Sequence, residues 1–181
     1  MRLYLMRHAT AVPPGTPGFA HDAQRPLTEE GRMEARRVAA GLKRLGIPVE
    51  RIVTSPYVRA VQTADEVARV LGPRLAVQEV DELRAEEAPA QASLALKGLG
   101  THAHVLCVGH EPQFSAWVAE LVATHGAMQC VMKKAGVACI EIERVPPRQG
   151  SGILRWLMTP KQLTLIGKSK VRGPKEERSR L

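Results

Sequence analysis

The chain has 181 residues, a length suited to one domain, and its 44% hydrophobic and 24% charged composition excludes a disordered polyelectrolyte. Lys and Arg number 26 against 18 Asp and Glu, a formal charge of +8, while aromatic residues make up only 3%. So few aromatics argue against stacking platforms for nucleic acid and turn the basic excess toward anionic substrates.

Short apolar runs alternate with helical patterns along the chain. Leu3–Met6 reads as a buried strand that stops at Arg7-His8. Val12–Gln24 is rich in Pro and Gly and reads as a surface loop; its His21-Asp22 pair reads as solvated, with Asp22 placed to orient Arg25 should the loop close. Thr28 is the N-cap of a helix over Glu29–Leu45, with two acids in its first turn and Gly46 and Pro48 closing it. Arg51–Thr54 is a second strand. Ser55 is then expected to cap the next helix, with Pro56 at its first position and Gly72-Pro73 at its end. Leu75–Val80 is a weaker strand and Pro89–Lys97 a helix. His104–Val108 is a fourth buried strand, stopped by Gly109-His110, before a helix that starts at Pro112 and runs through Trp117, Leu121 and Val122. Val137–Glu143 alternates in polarity and pairs with Ile153–Met158 across a turn from Pro146-Pro147 to Gly152. This interleaving predicts an α/β sandwich with a mostly parallel sheet.

Residues 1–165 form the expected domain, and residues 166–181 the expected basic, flexible tail. Lys168–Leu181 carries six basic and two acidic residues, half of the formal charge excess. Three cysteines, Cys107, Cys130 and Cys139, fit a reduced, cytoplasmic protein without a disulfide framework. No apolar run is long enough to suggest a signal core or a membrane span. Lys133-Lys134 reads as a solvated face that can also rim a pocket. His102 and His104 make a weak metal pair, since no third ligand has recognisable spacing.

The chemistry-bearing residues share one address. Arg7-His8 follows the first strand, Arg59 lies in the first turn of the helix after the second, and His110 follows the fourth. Open α/β sheets bind ligands beyond the carboxyl ends of their strands. Two histidines, two arginines and helix N-termini in one crevice describe an anion site, with phosphate the expected anion. A neutral imidazole can attack phosphorus when its other nitrogen donates to a fixed acceptor, and the scheme requires no metal or cofactor.

Leu5-Met6-Arg7-His8-Ala9 resembles the RHG signature of the histidine phosphatase superfamily, which includes the phosphoglycerate mutases. Ser55-Pro56-Tyr57-Val58-Arg59-Ala60-Val61-Gln62-Thr63 resembles its SPxxRxxQT block, and Val108-Gly109-His110-Glu111-Pro112 its GH block. Arg25-Pro26-Leu27-Thr28 and Trp156-Leu157-Met158-Thr159-Pro160 are similar to elements of the SixA-type phosphohistidine phosphatases. The resemblance spans roughly residues 1 to 165 and implies a three-layer α/β/α sandwich, phosphoglycerate mutase-like. It implies that His8 is the phosphorylated nucleophile and that Arg7, Arg59 and His110 form the phosphate pocket. Arg25 is either a contact to phosphate or phosphoprotein, or a residue that packs at the helix N-terminus.

Two departures stand out. Ala9 replaces the family's usual Gly, a strained choice if that position requires positive φ. No general acid aligns in Val80–Glu87, where Glu82 is the candidate. An imidazole leaving group has a conjugate-acid pKa near ~6.5 and needs such an acid far less than an alkoxide does. The expected activity is therefore hydrolysis of phosphohistidine in a phosphorylated protein, with no nucleic acid and no membrane as partner. A small-molecule phosphomonoesterase using Glu82, and a phosphate-binding module without turnover, remain as alternatives.

Overall fold

The computed structural model describes residues 1–99, 103–124 and 128–169. Six strands form one sheet: β1 (Arg2–Arg7), β2 (Arg51–Thr54), β3 (Val77–Glu79), β4 (His104–Gly109), β5 (Val137–Glu141) and β6 (Ile153–Met158). Their order is β3-β2-β4-β1-β5-β6. The first four are mutually parallel, and β5 runs antiparallel to both β1 and β6. The five helices are α1 (Glu29–Arg44), α2 (Val58–Leu71), α3 (Pro89–Ala95), α4 (Gln113–Val122) and α5 (Pro160–Lys168).

Period-two alternation on the central strands divides the core between two faces. Tyr4 and Met6 of β1 join α1, α2 and Leu163 of α5 on one side. Leu3 and Leu5 join Phe114, Trp117 and Leu121 of α4, with Ala92 of α3, on the other. Helices thus cover both faces of the sheet, which is the three-layer α/β/α sandwich expected. Among the described residues, no helix is long and apolar enough to cross a membrane.

Helix α1 follows the local rules closely. Thr28 Oγ1 accepts from the Gly31 amide at 3.0 Å, and Gly46 turns the chain away with a φ of 67°. Helix α2 departs from expectation: it starts at Val58 rather than Pro56, and Tyr57, not Ser55, occupies the cap position without a side-chain cap. The third strand is shorter than its apolar run, and β5 ends at Glu141. Helix α5 was absent from the expected elements although its start is written in the sequence. Thr159 and Gln162 form a capping box around Pro160. Of the stretch 166–181, residues 166–168 belong to α5, and residues 170–181 lie outside the described residues.

Helices α1 and α5 touch at Gly41, where an added Cβ would overlap the Leu163 carbonyl oxygen. Backbone cannot yield as a side-chain tip does, so Gly41→Ala is expected to destabilise the fold by about 2 kcal/mol, read from urea unfolding. An unchanged midpoint would show that the helices part freely.

Candidate active site

The site forms where three strands end together. Arg7 of β1 lies opposite Gly109 of β4, and Thr54 of β2 opposite Val108. The ladder continues one step further: the His8 amide donates to Gly109 O and the Ser55 amide to Val108 O, both at 2.9 Å. His8 and His110 are thereby brought face to tilted face, with ring centroids 5.1 Å apart.

Two hydrogen bonds settle the state of His8. Its Nδ1 lies 2.7 Å from the Ala9 carbonyl oxygen, which can only accept, so Nδ1 carries the proton. Arg59 Nε donates to His8 Nε2 at 3.2 Å, so Nε2 is the lone-pair nitrogen. Ala9 is fully buried, and its amide donates to Thr63 Oγ1 at 3.1 Å. The only non-glycine residue with positive φ among the described residues is Ala135, so the strain anticipated at Ala9 does not arise.

Both imidazoles are held neutral. Burial pushes His8 down to about 3, with the charges of Arg59, Arg7 and Lys134 acting in the same direction against the Ala9 bond. Burial likewise pushes His110 down to about 2, helped by His8, Arg59 and Arg7 and opposed by Asp22. His110 Nε2 shares a hydrogen bond with Ser55 Oγ at 2.8 Å, while its Nδ1 is buried without a protein partner. Arg7 donates from Nη1 to Met132 O at 2.8 Å, and its Nε is also buried without a partner.

Arg59 is 3% exposed, so its charge needs a counterion. Asp22 provides one from the Pro- and Gly-rich loop: Arg59 donates to its carboxylate at 2.8 Å and to its carbonyl oxygen at 2.7 Å. Arg25 donates to the same carboxylate through Nε at 2.8 Å and to Val12 O through Nη1 at 2.6 Å. Burial raises the Asp22 carboxyl, but the hydrogen bond from Arg25 and the two guanidinium charges outweigh it and hold the group below its ordinary value. The loop therefore does close over the site, and Asp22 orients Arg59 as well as Arg25.

A cavity of about 610 Å³ gathers Arg7, His8, Arg25, Arg59 and His110, with Asp22, Glu111 and Lys134 also on its wall. Glu82 is not among its lining residues; its carbonyl oxygen accepts from Gln113 Nε2 at 2.8 Å. Ser55, Tyr57 and Thr63 are the supporting residues that reasoning from sequence missed. The Tyr57 ring lies 4.9 Å from that of His110, and the Arg59 guanidinium carbon lies over the same ring at 4.9 Å. Ser55, Tyr57 and Thr63 all fall inside the SPxxRxxQT block, which was the available signal. Of the possible metal pair, His102 lies outside the described residues, and His104 Nδ1 shares a hydrogen bond with the Tyr4 hydroxyl at 2.9 Å.

Comparison with known proteins agrees with this geometry. The model of the histidine phosphatase superfamily (branch 1) matches residues 3–87. The chain is 30% identical over 167 residues to the phosphohistidine phosphatase SixA of Escherichia coli (strain K12), covering 91% of this chain and 98% of the relative. Among solved structures, it superposes on the protein histidine phosphatase SixA complexed with tungstate with a TM-score of 0.77 and 30% identity, covering 90% of this chain and 99% of that one. A phosphoserine phosphatase mutant from Entamoeba histolytica, in complex with phosphoserine, matches with a TM-score of 0.62 at 15% identity, covering 90% and 98%, a likeness of fold alone. This chain belongs to the histidine phosphatase superfamily, is of the SixA type, and is a phosphatase.

Proposed function

We propose that this phosphatase removes phosphoryl groups from histidine side chains of proteins through a phospho-His8 intermediate. The observation that carries the reading is the tautomer of His8, fixed from both sides: Ala9 O takes the Nδ1 proton and Arg59 marks the Nε2 lone pair. The Nε2 lone pair attacks phosphorus and the P–N bond to the substrate imidazole breaks; with the other nitrogen of that ring already protonated, the departing nitrogen keeps the bonding pair and neutral imidazole leaves. Water then attacks the phosphorus of phospho-His8, releasing inorganic phosphate and restoring the imidazole. Arg7 and Arg59 supply guanidinium forks for the phosphoryl oxygens, Arg25 stands ready to add a third, and His110 donates to the same group as charge develops.

The leaving group argues for a P–N bond. Glu82 does not line the cavity, Asp22 is held as the anion by Arg25 and Arg59, and Glu111 accepts a hydrogen bond from Ser115 at 2.7 Å. Neither Glu82 nor Asp22 is therefore placed to protonate an alkoxide, whereas a ring-protonated phosphohistidine releases neutral imidazole without an acid. The likeness to a SixA that holds tungstate, an oxyanion shaped like phosphate, supports the same pocket. Three free cysteines fit the reducing cytoplasm as its compartment.

Trapping tests the intermediate. Brief incubation with a ³²P-phosphohistidine protein should label the enzyme with an acid-labile, base-stable adduct. His8→Ala should abolish that label and lower turnover by at least about a thousandfold; a labelled, active His8→Ala enzyme would sink the mechanism. Glu82→Gln should change phosphohistidine turnover by less than about twofold, since this leaving group needs no acid. A Glu82-dependent preference for sugar phosphates would favour the phosphomonoesterase reading instead.

The buried imidazoles also set a pH dependence. Their folded-state pKa values lie below the ordinary 6.5, so between about 3 and 6.5 the unfolded chain binds more protons than the folded one. Stability contributed by keeping His8 and His110 neutral is complete above 6.5 and is lost as the pH falls through that window. NMR of the free enzyme should find neither ring titrating between pH 5 and 8. A midpoint near 6.5 for His8 would contradict the assignment.

A further inference from the structure

A second cavity of about 610 Å³ adjoins the first and shares Arg7, Thr10 and Lys134 with it. Its remaining wall includes Lys133, Lys161 and Glu34, so four cations face one carboxylate. That carboxylate is already occupied: Glu34 accepts from the Thr10 amide at 3.2 Å and from the Thr10 hydroxyl at 3.1 Å. Among the described residues, no ion pair engages Lys133, Lys134 or Lys161. The groove is therefore a strip with positive charge in clear excess, leading away from His8.

The turn that carries Lys133 and Lys134 is tied to the end of β1. Ala135 has a φ of 54°, a left-handed conformation that an L-residue adopts only under strain, and its amide bridges Arg7 O at 3.0 Å and His8 O at 3.2 Å. In return, the Arg7 amide donates to Gly136 O at 3.1 Å, and Arg7 Nη1 holds Met132 O. The turn that carries Lys133 and Lys134 is thus bonded on both sides to the backbone of Arg7 and His8. Such strain is retained where surrounding structure over-determines it, most often next to a working site. Lys161 enters from the opposite wall on the first turn of α5, whose start the Thr159–Gln162 capping box fixes.

We propose that this groove docks acidic residues flanking the phosphohistidine of the protein substrate, an inference that rests on the phosphohistidine reading above. The lysine strip is continuous with the pocket through Arg7, Thr10 and Lys134, so a polypeptide whose phosphorylated side chain reaches His8 can run along it. A carboxylate-rich segment complements it. Nucleic acid is the weaker fit, because no aromatic side chain lines the groove to stack a base. Charge complementarity of this kind acts chiefly on encounter and binding, so it should appear in KM rather than kcat.

The test uses the full chain and three substrates: phosphoramidate, a phosphohistidine peptide flanked by Asp and Glu, and the same peptide flanked by Lys. At low ionic strength the wild-type enzyme should prefer the acidic peptide by about tenfold or more in kcat/KM, carried by KM and shrinking as NaCl rises to about 0.5 M. The double variant Lys133→Glu/Lys161→Glu should erase or reverse that preference while phosphoramidate turnover stays within about twofold. Lys133→Arg/Lys161→Arg should keep it, which a purely structural role for the lysines would not require. Equal turnover of the two peptides by wild-type enzyme overturns the docking groove and leaves the phosphohistidine reading standing. No turnover of either peptide or of phosphoramidate overturns both. Retention of an RNA oligonucleotide, without competition from the acidic peptide, assigns the groove to nucleic acid and overturns the proposal.

Discussion

The parallel register of β1, β2 and β4 is the constraint on which everything else in this molecule depends. The main-chain ladder runs past the last paired residues, so the amides of His8 and Ser55 are still bonded to Gly109 and Val108 as the chain turns into the site. Residues 51 and 55 positions apart in sequence, Arg59 with His8 and Ser55 with His110, meet at hydrogen-bond distance because three strands finish level. Backbone hydrogen bonds in a doubly covered sheet are dry and cooperative, so the reacting groups inherit the rigidity of the core. Gly109 belongs to the same constraint. A Cβ there would overlap the Phe114 ring, so the residue before His110 has no room for a side chain.

Elements whose cause is local were legible in the sequence. The stripe Ala35, Val38, Ala39, Leu42 and the Thr28 cap give α1 without reference to anything else, and the apolar runs of β1, β2 and β4 are short and sharply ended. The four charged or imidazole residues at strand ends were legible for the same reason. What escaped was decided at a distance. Ser55 before a proline reads as a helix cap, yet its oxygen pairs with His110, while Tyr57 takes the cap position. Asp22 is solvated as read, with 55% of its side chain exposed, but nothing nearby in sequence reveals that its carboxylate will also meet the buried Arg59. Helix α5 is different: its capping box was present as Thr159-Pro160-x-Gln162, but so short a helix, with only Leu163 buried, gives little periodicity to find.

The second half of the SPxxRxxQT block is scaffold for the first. Gln62 Oε1 accepts from the Leu27 amide at 2.8 Å, tying the RPLT element to α2, and Thr63 accepts from the Ala9 amide while donating to Arg59 O at 2.6 Å. One helical turn thus aligns the guanidinium, the residue that fixes the His8 tautomer and the segment carrying Arg25. The same logic disposes of the basic composition. Glu66 of α2 pairs with Arg32 and Arg36 of α1, clamping the two helices, and with Arg69 within α2, none of them on the cavity wall, whereas Arg7, Arg25 and Arg59 converge on it. Net charge counts both groups alike, and only the fold separates them.

Asp22 has a consequence for how the enzyme meets and loses its anions. With Arg59 buried and the Arg25 side chain only 13% exposed, an empty pair of guanidinium forks would strand positive charge in a place water reaches poorly. The loop carboxylate occupies them in the resting enzyme, so both side chains are already ordered and their conformational freedom has been given up on folding rather than on binding. In the proposed cycle an arriving phosphoryl group exchanges one anion for another, and a departing phosphate makes the reverse exchange. The number of charge-assisted bonds to the arginines stays nearly level around the cycle, which keeps a strongly basic pocket from becoming a trap for its own product.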